Sequence, residues 1–218
     1  MKPTKEYNGR SRIRMYNCDC MDFMEDCDTY DLAIVDPPYG IGADKAMGYK
    51  NNRENKDKWK GGEWDVKPNK EYFDLLKSVS ENQIVWGGNY FPELWNKQAR
   101  GVIIWDKVNR TCFGDGEMAW SSFDKPIRIY EFSSSNLQGF RNPDRFHPTE
   151  KPIQLYKWLL TNYANEGDTI FDSHGGSMSI AIACWDLGFD LDICELDTDY
   201  FNDAVKRFET HIAQTQLF

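Results

Sequence analysis

The sequence predicts an α/β protein built on a mixed, mostly parallel sheet. Short apolar runs alternate along the chain with stretches of helical spacing. Two of those runs, at Leu32–Val35 and Thr169–Phe171, lead straight into an aspartate and a set of turn residues. The 218 residues are 40% hydrophobic and 28% charged, a globular composition with enough chain for one domain and a real core.

Taken in order, Leu32–Val35 reads as a buried strand with Asp36 at its tip, stopped by Asp36-Pro37-Pro38-Tyr39. Residues 40–69 are polar and rich in Gly and Lys, and read as a long loop. A loop of that length inside a compact domain is expected only where it serves function, and this one follows a candidate catalytic strand tip. Glu71 to Val79 has helical spacing in Tyr72, Leu75, Leu76 and Val79. Gln83–Trp86 is a strand stopped by Gly87-Gly88, and Val102–Trp105 is another. Residues 117–121 and 127–132 predict a short antiparallel hairpin at the sheet edge. Pro152 opens a helix through about Tyr163. Thr169–Asp172 is a strand, Ser177–Leu187 a helix and Phe189–Cys194 a strand, after which Asp197 caps a final helix.

The net charge of −9 argues at first against a nucleic-acid enzyme. Its distribution removes the objection. Residues 163–218 carry eleven acids against Lys206 and Arg207, so residues 1–162 are neutral. Within them, residues 43–62 hold six basic side chains, a local patch able to meet phosphates. The six cysteines lack paired zinc spacing, so free thiols in a reducing cytoplasm are expected and no metal site is. No apolar run is long enough to span a bilayer, and Met1-Lys2-Pro3-Thr4-Lys5-Glu6 lacks the apolar core of a secretion signal.

Two constellations carry chemistry. The exocyclic amine of a nucleobase is a poor nucleophile, because its lone pair is delocalised into the ring. Asp36 can accept a hydrogen bond or proton from such an amine and draw the nitrogen toward a reactive geometry. Pro37 and Pro38 have no N–H and fixed φ, so they offer carbonyls on a stiff backbone. Tyr39 offers a face to a base extruded from its helix. The plain alternative is a strand-terminating turn. The second constellation is Phe171-Asp172-Ser173-His174-Gly175-Gly176-Ser177, then a helix, then a strand ending at Glu195. A strand, a Gly turn and a helix make a nucleotide-type pocket, and an acid 19 residues after Gly176 suits ribose hydroxyls. The alternative is a tight turn with a solvated carboxylate. No G-x-G-x-x-G is present, which disfavours a dinucleotide.

Together these residues resemble the β-class DNA amino-methyltransferases. Asp36-Pro37-Pro38-Tyr39 is similar to their catalytic motif. His147-Pro148-Thr149-Glu150-Lys151-Pro152 is similar to the segment before their cofactor half, and Asp172–Ser177 falls at their cofactor loop. The resemblance covers roughly residues 12–210. It implies a Rossmann-like AdoMet-dependent methyltransferase fold, circularly permuted, with helices on both faces of the sheet. It also implies a single domain, with a catalytic half at 12–105, a short recognition region at 106–147 and an AdoMet-binding half at 148–218. The implied activity is methyl transfer from S-adenosyl-L-methionine to adenine N6 in DNA, since members acting on cytosine N4 tend to have Ser where Asp36 stands. Asp36, Pro37, Pro38 and Tyr39 would form the base-amine site. Asp172 would face the methionine amino group, Glu195 the ribose and Asp19 the cofactor adenine. Thr149 and Lys151 would line the carboxylate end, and His174, Gly175, Gly176 and Ser177 the loop.

The segment Trp86-Gly87-Gly88-Asn89-Tyr90-Phe91 is similar to one near the target base, although Trp86 serves equally well as core. DNA is the implied partner, no membrane is implied, and a homodimer is left open. The size and the His-Gly-Gly-Ser loop resemble phage and prophage members, hence a bacterial cytoplasm or phage-infected cell. Two departures stand out. Met178 occupies a position where the family has glycine and is expected to crowd the cofactor, with His174 as an aromatic-type wall. The short 106–147 stretch, with Lys107, Arg110, Arg128, Arg141 and Arg145, leaves base reading to loops and implies a short or loose recognition sequence. The competing readings are a cytosine-N4 enzyme, a protein glutamine methylase (disfavoured by motif order), a non-catalytic DNA- or AdoMet-binding module and a zinc-dependent nucleic-acid module.

Overall fold

The computed structural model describes residues 1–42, 65–95, 101–108, 114–133 and 150–215. Thr149, residues 43–64 of the expected 40–69 loop with its basic patch, and Arg110, Arg141 and Arg145 lie outside the described residues. The strands are β1 (Lys5–Asn8), β2 (Arg12–Asn17), β3 (Tyr30–Val35), β4 (Ser80–Trp86), β5 (Gly101–Asp106), β6 (Gly116–Ser121), β7 (Arg128–Glu131), β8 (Thr169–Asp172) and β9 (Asp190–Glu195). The helices are α1 (Cys20–Met24), α2 (Lys70–Ser78), α3 (Ile153–Tyr163), α4 (Ser179–Leu187) and α5 (Thr198–Thr215). None of the described helices is long and apolar enough to cross a membrane.

These strands join in one sheet of order β1-β2-β9-β8-β3-β4-β6-β5-β7. Only β1 and β6 run against the others. Parallel pairing buries a strand on both faces, and β3 obeys: Leu32 and Ile34 enter one apolar cluster, Ala33 and Val35 the other. The first cluster is covered by Leu155 and Leu159 of α3, Ile180 and Ala183 of α4, and Phe201 and Phe208 of α5. The second is covered by Phe23 of α1 and Tyr72, Phe73 and Leu76 of α2. Helices therefore lie on both faces, as the resemblance implied.

The expected hairpin between residues 117–121 and 127–132 is not there. Both segments are strands, but β5 lies between them, antiparallel to β6 and parallel to β7. β6 is inserted between β4 and β5, paired antiparallel with each. Local turn signals pointed to nearest-neighbour pairing, whereas the backbone of β6 satisfies its ladder with two strands that precede it. An edge hairpin does exist at the opposite margin, where β1 pairs with β2.

Local signals set the ends of the helices. Asp19 Oδ1 accepts from Met21 N at 2.8 Å and caps α1. Asn69 caps α2 through Tyr72 N at 3.1 Å. Asp197 caps α5, accepting from Asp199 N at 2.8 Å and Tyr200 N at 3.0 Å. Helix α4 begins two residues later than the sequence suggested, because Gly176 (φ 51°) and Met178 (φ 52°) form a left-handed turn before it.

The chain order reverses between β8 and β3. From β3 the sheet grows outward through β4, and from β8 it grows the other way through β9 and β2. In parallel α/β sheets, ligands bind at such a point, in the crevice outside the carboxyl ends of the strands. Asp36 follows β3, Gly87 follows β4, Asp172 ends β8 and Glu195 ends β9. Every one of them sits on that rim.

Candidate active site

On the β3 side the Asp36 carboxylate is held from two directions. Tyr39 Oη donates to Oδ1 at 2.7 Å, and Lys151 Nζ donates to Oδ2. Lys151 comes from the segment before α3, and its side chain is only 3% exposed. Its ammonium also lies 3.1 Å from Glu117 Oε2 on β6 and 5.3 Å from the ring centre of Trp86. Glu117 in turn receives Lys107 Nζ at 2.7 Å. Burial works to raise the carboxyl of Glu117, but the two lysines outweigh it and hold it at about 2. Burial works to lower the ammonium of Lys151, and Asp36 and Glu117 reverse that as well, so Lys151 stays charged.

The Tyr39 ring is enclosed. It stacks on Tyr90 with ring centres 5.2 Å apart at 22°, and meets the edge of Phe91 at 6.2 Å. Burial and the neighbouring charges of Asp36 and Glu117 keep its hydroxyl protonated, and therefore a donor. Gly87, at φ +69°, turns the backbone beneath this ring. A Cβ there would lie 2.2 Å from Tyr39 Cε1, so only glycine fits. Tyr90 is 38% exposed and presents the outer face of the stack to solvent. Trp86 is fully buried in the core.

The β8 side holds a second group of carboxylates. Asp172 is buried, and its Oδ1 accepts from His174 N at 3.0 Å. Burial lifts its carboxyl to about 8, only partly offset by that N–H and reinforced by the charges of Asp36 and Glu195. The loop then folds tightly: Gly175 N donates to Cys194 O at 2.7 Å and Met178 N to Gly175 O at 2.7 Å. Glu195 takes Gly176 N on Oε2 at 2.7 Å and Asp197 N on Oε1 at 2.8 Å. His174 packs edge-on against Tyr72 at 5.5 Å, with Nδ1 2.8 Å from Ser173 Oγ. Burial drops its imidazole to about 4, so it stays neutral.

A family model described as DNA methylase, of the N6/N4 type, matches residues 93–206. The chain belongs to the N6/N4 DNA methylase family. The match takes in Glu117, Lys151, Asp172 and Glu195, and leaves Asp36–Tyr39 outside it. The methylase is 26% identical to the type II methyltransferase M.HpaI of Haemophilus parainfluenzae over 222 residues, 83% of this chain and 68% of the relative. In fold it is similar to M1.HpyAVI, solved as a complex with SAM. The TM-score is 0.61 at 17% identity, covering 89% of this chain and 99% of that one. It is also similar to the cytosine-N4-specific PvuII DNA methyltransferase, with TM-score 0.61 at 14% identity, covering 90% and 86%.

The methylase brings most of the residues expected from sequence to one rim. Asp36, Pro37, Pro38 and Tyr39 lie on its β3 side. Asp172, His174, Gly175, Gly176 and Glu195 lie on its β8–β9 side. Exposed Asp19 follows β2, whose Asn17 is in register with Glu195, and its charge reaches His174. Ser177 is buried at the start of α4, where its carbonyl accepts from Arg207 at 2.7 Å. Two expectations shift. Lys151 was expected toward the cofactor, and its ammonium is on Asp36 and Glu117 instead. Met178 was expected to crowd the cofactor, and its side chain is 1% exposed within the α3–α4–α5 core. Glu117 was missed altogether. The available signal was a glutamate in a strand otherwise built of Gly, Met, Ala, Trp and Ser.

Proposed function

We propose that this methylase transfers a methyl group from S-adenosyl-L-methionine to the N6 amine of adenine in DNA. The observation that carries the reading is the juxtaposition of two acids on neighbouring strand ends: Asp36 after β3 and Asp172 at the end of β8, across the point where chain order reverses.

The donor set suits the cofactor. Among the described residues the one hydrogen bond to the buried Asp172 carboxyl comes from His174 N–H. A carboxyl lifted to about 8 by burial is an acid that a ligand cation would stabilise as the anion, and the α-ammonium of AdoMet is such a cation. Each oxygen of Glu195 already accepts one N–H and keeps a lone pair for a ribose hydroxyl. We assign Asp172, Glu195, Asp19, Thr149 and the His174-Gly175-Gly176-Ser177 loop to holding the cofactor, and residues 148–218 to its half of the chain. When bound, the cofactor supplies methyl as an electrophilic sulfonium.

The rest falls to the chain. Asp36 accepts a hydrogen from the target amine, pulls the nitrogen lone pair out of ring conjugation, and takes the proton that the methylated nitrogen must lose before passing it to water. Pro37 and Pro38 keep the strand tip stiff. Tyr39 holds Asp36 through Oη and backs Tyr90, whose exposed ring gives the extruded base an aromatic surface. Much of the rate is positional. Adenine is favoured over cytosine because an aspartate, not a serine, heads the motif.

The test is labelled AdoMet with unmethylated DNA, followed by digestion to nucleosides and mass analysis. N6-methyldeoxyadenosine is expected from the wild type and none from Asp36→Ala, with AdoMet binding kept by calorimetry. N4-methyldeoxycytidine would reassign the target base, and equal transfer by the two proteins would remove Asp36 from the reaction.

A further inference from the structure

Behind Asp36 runs a buried row of alternating charge that the reaction above does not use. Asp36, Lys151, Glu117 and Lys107 follow one another within ion-pair distance. They come from four places in the chain: the end of β3, the segment before α3, strand β6, and the residue after β5. None of the four side chains is more than 24% exposed. Burying four charges is unfavourable unless the arrangement has a use, because a well-packed apolar cluster of similar volume is commonly as stable. The row cancels to zero net charge.

That cancellation matters at this place. As methyl moves from sulfur to nitrogen, positive charge moves toward the target amine beside Asp36. A lone ammonium next to Asp36 would oppose it, and a lone second carboxylate would compete with Asp36 for a proton. Lys151 with Glu117 behind it does neither. The contact also fixes direction: with Lys151 on Oδ2 and Tyr39 on Oδ1, the carboxylate plane is set from both sides.

We propose that Lys151 and Glu117 are positioning residues for Asp36, holding its carboxylate plane toward the target amine and keeping the amine pocket free of net charge. The proposal rests on the reading of Asp36 as the amine acceptor. It differs from a cofactor role for Lys151, because the ammonium is spent on Asp36 and Glu117. The other titratable groups around Asp36 are Tyr39 on its own loop, Tyr72 of α2, Tyr156 of α3 and Asp172 of β8. The variants below leave all of them in place.

The experiment measures kcat for methyl transfer to DNA against pH. It compares the wild type, Lys151→Met, Glu117→Gln, the double variant and Lys151→Arg, with AdoMet affinity and melting temperature measured on each. Lys151→Met leaves two carboxylates sharing a site, so one takes a proton more readily. Its kcat falls about 100-fold, the range seen when one preorganised polar group is lost, and its acid limb moves up by about one unit or more. Adding Glu117→Gln to Lys151→Met removes the like charge and returns the acid limb toward wild type, while kcat stays low. Lys151→Arg keeps the wild-type limb. AdoMet affinity is unchanged throughout. The double variant carries the test even where Lys151→Met folds poorly, because it buries no unpaired carboxylate at Glu117. A purely structural lysine would lower stability without moving the limb; a limb unmoved in Lys151→Met, or a double variant with wild-type kcat, overturns the proposal while leaving Asp36 its role. Asp36→Ala matching wild type would instead overturn the reading beneath it, and the proposal with it.

Discussion

Replacing Gly87 by alanine isolates the contact that seats Tyr39. The backbone there has φ +69°, and an added Cβ falls 2.2 Å from Tyr39 Cε1 and 2.4 Å from Cδ1, where ordinary contact begins near 3.4 Å. The ring has no free direction of retreat. Tyr90 stacks on it at 5.2 Å, and its hydroxyl is tied to Asp36 at 2.7 Å. Two terms add. A left-handed backbone costs a residue with a Cβ about 1 kcal/mol, and forcing a methyl into a packed contact costs about 1–3 kcal/mol. The single variant should therefore lose about 2–4 kcal/mol of stability. In a Tyr39→Ala background the overpacking disappears, and the same Gly87→Ala change should cost only about 1 kcal/mol. Urea unfolding of the four proteins in this cycle, with unchanged m-values, gives the coupling directly. An equal cost of Gly87→Ala in both backgrounds would refute the argument, because it would mean the Tyr39 ring does not rest on that backbone.

Two further outcomes follow from the buried acids. Asp172 has a folded-state value of about 8, well above its value in an unfolded chain. The folded state thus binds a proton that the unfolded state releases, and this contribution to stability is complete only below the ordinary carboxyl value of 3.8 and is lost as pH rises from there toward 8. Its slope is at most about 1.4 kcal/mol per pH unit. Ligand-free wild type should lose more stability between pH 5 and 8 than Asp172→Asn does by urea titration; parallel curves would show that Asp172 is not buried as an acid. Asp192 is held by Nε and Nη2 of Arg14, each at 2.6 Å, and by Tyr30 Oη at 2.6 Å, with its side chain 4% exposed. Asp192→Ala strands that guanidinium and should cost about 3 kcal/mol or more, while methyl transfer measured well below the melting temperature keeps its wild-type rate. A lost rate in a folded variant would tie this cluster to the site.

Apolar periodicity made the strands and helices legible, because each element buries its apolar residues on the faces that periodicity marks. Leu32–Val35 and Thr169–Asp172 could be read as strands from four residues each, and both rim acids came with them. Strand pairing was not legible. Nothing in residues 116–131 marks β6 as the partner of β4, since pairing depends on backbone hydrogen bonds that any sequence can make. The same limit hid Glu117, which meets Lys151 only because β6 folds back between β4 and β5. Lys151 was found from its motif, but its ion pairs with Asp36 and Glu117 were not legible, for a long flexible side chain reaches several positions from one backbone. Met178 shows the converse: a left-handed backbone position usually left to glycine is filled by a side chain that the core accepts.

The reversal of strand order between β8 and β3 has a consequence for synthesis. Asp31 and Thr169, which bond across that junction, are 138 residues apart in the chain. Arg14 and Asp192, on β2 and β9, are 178 apart. Until β8 and β9 have left the ribosome, β3 can pair only with β4, and β2 lacks the strand that separates it from the rest of the sheet. Contacts this distant close slowly, so the two rim acids meet only when translation of the sheet is complete, and a nascent chain interrupted before Thr169 carries its Asp36 motif with no crevice to serve.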